Sequence, residues 1–275
     1  MVAEGKRRSI LLVVEGAKQE QFLMNKVLEE YGLDADYQIY SYGTNIYELY
    51  ERMFAQGRDE LEALSLIGIL KEREADPAKR ELLDINFSDI LLVFDFEGEM
   101  EDRFSFERLA EMLEYFSEST DEGKLYINYP MVEACKHFSG LPDVGYLNRC
   151  VSVDDIESYK QIVGTESRFQ NYGRDFCRPA LDALILLSVA KSLKLCGCEL
   201  DLSDFTGSCE SVDHGEIYRR QETLYNEQSC LVVLGTCLMF ICDYDSGLID
   251  LRHAVRLSGL CGGEARNDGA FLDNV

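Results

Sequence analysis

Basic residues are scarce in this sequence. Lysine and arginine number 27 against 51 aspartates and glutamates, a formal net charge of −24 over 275 residues. Backbone binding of nucleic acid depends on neutralising phosphates with those two residue types, so a generally basic nucleic-acid coat is excluded. A nuclease is not, because a local site and a partner can overcome an acidic exterior. No stretch reaches the roughly 18 apolar residues of a membrane span. Residues 1–8 are polar and are followed by only a short apolar run, which leaves no room for a signal-peptide core. The expectation is a soluble, cytoplasmic chain with no membrane partner. Paired CxxC or CxxH spacings are also missing. Among ten cysteines the nearest approach to a zinc pattern is Cys196-Gly197-Cys198, with no second pair at a useful distance. A reducing compartment disfavours a disulfide framework, so most of these thiols are read as buried packing residues. Neither a Gly-Lys-Ser/Thr phosphate loop nor GxGxxG is present, and the chain is not read as an ATPase by itself.

What is there suffices for a core. Hydrophobic residues at 46% and charged residues at 28% sit near globular averages, and the length suits one large domain or one domain with an appendage. Residues 9–14 (SILLVV) and 89–94 (DILLVF) are continuous apolar runs, which predict strands covered on both faces. Between and after them, 18–31, 46–54, 61–82 (broken at Pro77) and 104–116 read as helices, and 37–42 and 124–127 as further strands. This alternation predicts an α/β domain, a parallel sheet flanked by helices, over residues 1–150. From about Val153 onward the alternation stops. Residues 178–195 and 221–244 read as long helices, the second nearly apolar from Cys230 to Cys242, so 151–275 is expected to be a mainly helical domain for substrate, partner or dimer contacts.

In parallel α/β sheets function collects at the carboxyl ends of the strands. Both confident strands end in acid: Glu15 after the first, Asp95 with Glu97 after the other. Such oxygen clusters suit Mg2+ or Mn2+, and phosphodiester hydrolysis uses that arrangement. The plainer reading is that carboxylates are common at solvated strand ends. The joint pattern of apolar strand, acid and helix, met twice, favours the metal. Glu99, Glu101 and Asp102 are read as solvated acids where the next helix starts. His137 follows Glu133 by four residues and would share a helix face with it, although a satisfied structural histidine is the favoured reading. For His214 and His253 the sequence alone suggests no site partner. Cys135 with His137 fails as a nucleophile pair, since i and i+2 point apart on a helix.

Three segments carry a resemblance. VVEGAKQEQF, residues 13–22, resembles the first motif of the TOPRIM fold shared by topoisomerases, primases and OLD-type nucleases. LLVFDFE, residues 91–97, resembles its second, DxD motif. INYPMVEACKHF, residues 127–138, is similar to the late segment of RloB-like phage-defence proteins. The resemblance covers about residues 8–138. It implies a Rossmann-like TOPRIM sheet and a metal-dependent nuclease, with Glu15, Asp95 and Glu97 as catalytic residues. The implied ligands of Mg2+ or Mn2+ are Glu15, Glu20, Asp95, Glu97 and Glu133. Glu97 stands where the family has aspartate. Glu20 can face back to the strand end only if its helix starts near Ala17. The resemblance further implies an effector of bacterial anti-phage defence, acting on DNA or RNA, tRNA included. Its implied partner is an ABC-type ATPase sensor, as in systems such as PARIS, and a homodimer is open. The alternative is a non-catalytic TOPRIM scaffold that docks a partner. Among the bases, the arginines of the second half, Arg174/Arg178, Arg219-Arg220 and Arg252/Arg256, are the expected wall facing nucleic acid, ahead of Lys191/Lys194, Lys6-Arg7-Arg8, Lys71/Arg73 and Lys79-Arg80.

Overall fold

The computed structural model describes residues 9–34, 36–54, 65–96, 105–120, 122–143 and 145–260. The chain divides into two compact units, Met1–Val132 and Glu133–Val275.

The first unit is an α/β sheet domain. Its elements run β1 (Ile10–Val14), α1 (Gln19–Tyr31), β2 (Tyr37–Ser41), α2 (Ile46–Phe54), α3 (Leu66–Arg73) and α4 (Pro77–Leu82). They continue with β3 (Asp89–Asp95), α5 (Phe106–Tyr115), β4 (Ser117–Glu118) and β5 (Gly123–Asn128). The strand order is β2-β1-β3-β5-β4. β1 pairs in parallel with β2 and β3, and β3 with β5; β4 closes the margin antiparallel to β5. All five residues of β1 are buried, as are residues 91–95 of β3. That burial is why both read as unbroken apolar runs. Gly32 ends α1 in the left-handed region that its missing Cβ permits, φ +67°. Ser65, Asp76 and Ser105 cap α3, α4 and α5 with side-chain oxygens.

The second unit is mainly helical. It contains β6 (Cys150–Ser152), α6 (Tyr159–Glu166), α7 (Tyr172–Asp175), α8 (Arg178–Leu195), α9 (Phe205–Glu210) and α10 (His214–Gln228). After these come β7 (Cys230–Val232), α11 (Phe240–Asp245) and α12 (Leu251–Ser258). α8 is buried on nearly every face and packs against α12. Among the described residues no helix is long and apolar enough to cross a membrane.

Two sequence expectations are corrected here. The helix expected over 221–244 ends at Gln228; Ser229 turns left-handed at φ 50°, β7 follows and pairs with β6, and a 3-10 turn, Thr236–Met239, leads into α11. An apolar run buried all round has no periodicity to tell strand from helix. Gly235 precedes that turn, and it has to be glycine: a Cβ there would lie 3.0 Å from the backbone nitrogen of Cys135 and overlap its sulfur. Nor do Glu133 and His137 share an α-helical face. Val132–Lys136 is a 3-10 helix and His137 lies beyond its end. With three residues per turn, positions four apart do not align.

Candidate metal centre

Glu15 leaves β1 between two neighbours that fix its backbone. Its N–H donates to the Val93 carbonyl of β3 at 3.1 Å, and its carbonyl accepts from Gly43, just past β2, at 2.8 Å. The side chain turns toward β3, where Oε2 accepts the backbone N–H of Asp95 at 3.0 Å. Asp95 is the last residue of β3 and only 8% exposed. Its Oδ1 accepts from Asn128 Nδ2 at 3.3 Å, and the two residues are register partners on β3 and β5. Past Asp95, the Phe96 N–H is shared between the carbonyls of Asn128 and Pro130, both at 3.1 Å, which ties the outgoing chain to the end of β5. Glu20 is the second residue of α1, and its carboxylate folds back over Gly16 so closely that a Cβ there would collide with it. The helix starts at Gln19 rather than near Ala17, and the side chain still reaches back.

The structure therefore sets the Glu15 carboxylate against the Asp95 backbone at the carboxyl edge of the sheet, and Glu20, at the start of α1, folds back over Gly16, the residue after Glu15. Glu97 lies outside the described residues, with Glu99, Glu101 and Asp102. Glu133 belongs to the second unit. It is 2% exposed, and its Oε2 has no hydrogen-bond partner among the described residues. Asn128 lies within residues 127–138, the segment of the third resemblance, but sequence alone assigns it no role of its own.

No family model, curated protein or solved structure matches this chain.

Its chemistry must therefore be judged from the donor set. Among the described residues no group of three or more His, Cys, Asp or Glu side chains forms a ready metal cage. Glu15 and Asp95 alone are a hard, anionic oxygen pair. Mg2+ keeps most of its waters and is commonly held by one or two carboxylates plus substrate phosphates, so this pair fits such an ion. It does not fit zinc, which wants nitrogen or sulfur ligands in a closed tetrahedron.

The second unit has a buried polar centre of its own. His137 is 4% exposed; its Nδ1 lies 2.9 Å from the Tyr159 hydroxyl and its Nε2 3.0 Å from Glu166 Oε2. Burial holds the ring's pKa below its ordinary value, against the pull of Glu166. In the neutral ring Nε2–H donates to the carboxylate and Nδ1 accepts from Tyr159. His137 is thus a structural histidine. A folded pKa below the unfolded value means that, under about pH 6.5, the unfolded chain binds the proton and the folded chain does not. Stability contributed by His137 is thus present above that pH and lost as pH falls. The melting temperature is expected to drop between about pH 7 and pH 5, and His137→Gln to show a shallower drop; equal slopes for the two proteins would refute the assignment.

The bases of the second half divide between the interior and surface ion pairs. Lys191 is fully buried, donating to the carbonyls of Tyr146 at 2.7 Å and Arg149 at 2.8 Å. Burial holds its pKa well below the ordinary lysine value, so it faces no phosphate. Its position on the all-round buried α8 is the reason. Arg174 pairs with Asp175, Arg178 with Asp182, and Arg219 and Arg220 both with Glu216. Lys194 donates to Asn148. Arg252 and Arg256 stay exposed on α12.

Proposed function

We propose that this chain is a divalent-metal-dependent nuclease of TOPRIM type. It would cleave phosphodiester bonds of DNA or RNA, tRNA included, as a cytoplasmic effector of anti-phage defence beside an ABC-type ATPase. The observation that carries the reading is the bond from the Asp95 backbone to Glu15 Oε2. It ties the Glu15 carboxylate to the residue that ends the adjacent parallel strand, at the carboxyl edge where α/β sheets keep their chemistry, and Asp95 is itself an acid. The sheet order β2-β1-β3-β5, with the acids on β1 and β3, supports it as well.

When bound there, Mg2+ or Mn2+ would supply an acidified water and charge stabilisation for the leaving oxygen. The chain's own residues set the stage. Glu15 and Asp95 would hold the ion, and Asn128 fixes the Asp95 carboxylate by donating to one of its oxygens. Glu20, folded over Gly16, adds negative charge to the same edge.

The test is cleavage of labelled single- and double-stranded DNA, RNA and tRNA by the full chain with Mg2+ or Mn2+, alone and with an ATPase encoded beside it. Glu15→Gln keeps an acceptor for the Asp95 N–H but removes the charge; it should fold normally and lose at least about 100-fold in rate, a loss of about 2.7 kcal/mol or more of transition-state stabilisation. Absence of cleavage by the unmodified chain on all four substrates, with no metal-induced rise in melting temperature, would instead establish the scaffold.

A further inference from the structure

The first unit carries cations of its own, tied through β2 to the backbone at Glu15. β2 ends in register with β1, Ser41 beside Val14, and the next two residues grip the chain at Glu15. Tyr42 N–H donates to the Val14 carbonyl and Gly43 N–H to that of Glu15, each at 2.8 Å. Arg73, the last residue of α3, lays its guanidinium over the Tyr42 ring, 4.2 Å from the centroid, and donates through Nη1 to the Tyr42 carbonyl. It therefore sits one short loop from Glu15. From α2, Arg52 donates through Nε and Nη2 to Glu48 Oε1 at 3.2 and 3.1 Å. Arg73 Nε approaches the same oxygen at 3.7 Å, and the Thr44 hydroxyl donates to the same carboxylate.

Donors from two helices and a loop thus converge on one anion. Burial pulls the Glu48 carboxyl up, but Thr44 and the two guanidiniums outweigh it and hold it below its usual range, so it is ionised near neutrality. The cluster is open to water, with side-chain exposure of 46% for Arg52, 27% for Glu48 and 24% for Arg73. Ion pairs that open contribute little to stability. Two guanidiniums and a hydroxyl are, however, well suited to the oxygens of a phosphate. In a chain carrying −24, two guanidiniums sharing one carboxylate, in a cluster joined to the Glu15 backbone through Tyr42 and Gly43, are the feature that backbone binding needs.

We propose that Arg52, Arg73 and Thr44 form a phosphate-holding subsite for a nucleic-acid strand, and that Glu48 occupies it until a backbone phosphate displaces it. Its meaning as a substrate subsite rests on the nuclease reading of Glu15 and Asp95, but strand binding is measured without cleavage.

The experiment is fluorescence anisotropy of the full chain with a labelled single-stranded DNA 20-mer and its RNA counterpart, in EDTA, over a salt series. Arg73→Gln and Arg52→Gln should each weaken binding about tenfold and make the salt dependence shallower by about one phosphate contact, a slope change near 0.7. Glu48→Gln should tighten binding several-fold by removing the internal competitor, and Arg219→Gln on α10 should change nothing. Melting temperatures check folding. Should an arginine variant unfold, Arg73→Lys, which keeps the charge and loses the fork, and the sign of Glu48→Gln decide instead. Absent binding, or binding indifferent to Arg52, Arg73 and Glu48 in a chain that cleaves, overturns the subsite and leaves the nuclease. Binding that responds as expected in a chain that never cleaves overturns the nuclease and leaves the subsite.

Discussion

Asp95→Asn is expected to fold as the parent chain does and to cleave at least about 1000-fold more slowly, since the carboxylates holding such an ion support several kcal/mol of transition-state stabilisation. The side chain is nearly isosteric and stays beside Asn128 on β5. What changes is one charge, at a position only 8% exposed and adjacent to the Glu15 carboxylate. Without metal, two neighbouring carboxylates repel, so in EDTA the variant should melt at or above the parent. With Mn2+ the order should reverse. A ligand of the native state at about 100 times its Kd adds about 2.7 kcal/mol, and the variant forfeits most of that. A crossing pair of melting curves, together with the lost rate, separates a metal ligand from a residue that merely supports the fold. Undiminished cleavage by Asp95→Asn, with contaminating nuclease excluded, would sink the mechanism.

The largest stability effect is expected in the second unit, at Gln221. This side chain is fully buried on α10, donating through Nε2 to the Val232 carbonyl at 2.8 Å and accepting the Val232 N–H at 2.9 Å. β6 covers one side of β7, and the amide of Gln221 stands where a third strand would be on the other. Gln221→Leu fits the same space but leaves a buried N–H and a buried carbonyl without partners. At about 1–3 kcal/mol each, the loss should be about 2–6 kcal/mol, read as a lower urea midpoint with an unchanged m value. A loss under about 1 kcal/mol would mean that the amide does not hold β7 in place.

The first unit was legible from the sequence because its strands are short apolar runs with acids at their ends. β1 and β3 could be placed, and with them Glu15 and Asp95, since a charged residue closing a buried strand marks its carboxyl edge. β4 was not, because Ser117 and Glu118 carry no apolar signal at all. Asn128 escaped notice for a related reason: its importance lies in the register that sets it against Asp95, and register is a property of two strands. The 230–242 run was misread because burial on every side erases the periodicity that would separate helix from strand. Glu133 and His137 were set on one face by assuming 3.6 residues per turn, where the chain makes a 3-10 helix. The arginines and Lys191 show a different limit. A cation is counted from sequence, but whether it pairs at the surface, as Arg219 and Arg220 do with Glu216, or is buried against carbonyls, as Lys191 is, is decided by the fold.

The β4 margin has a consequence for how copies of this chain meet. An open sheet edge is a template on which another chain's strand can grow, the route to aggregation and strand exchange. Here the last strand is two residues long, Ser117 opposite Lys124 and Glu118 opposite Gly123, and both of its residues are exposed. A strand adding to β4 would gain a ladder too brief to hold it and would have to align beside the Glu118 charge. That margin is blunted against self-templating, so copies that associate should do so through side-chain surfaces rather than by extending the sheet past β4.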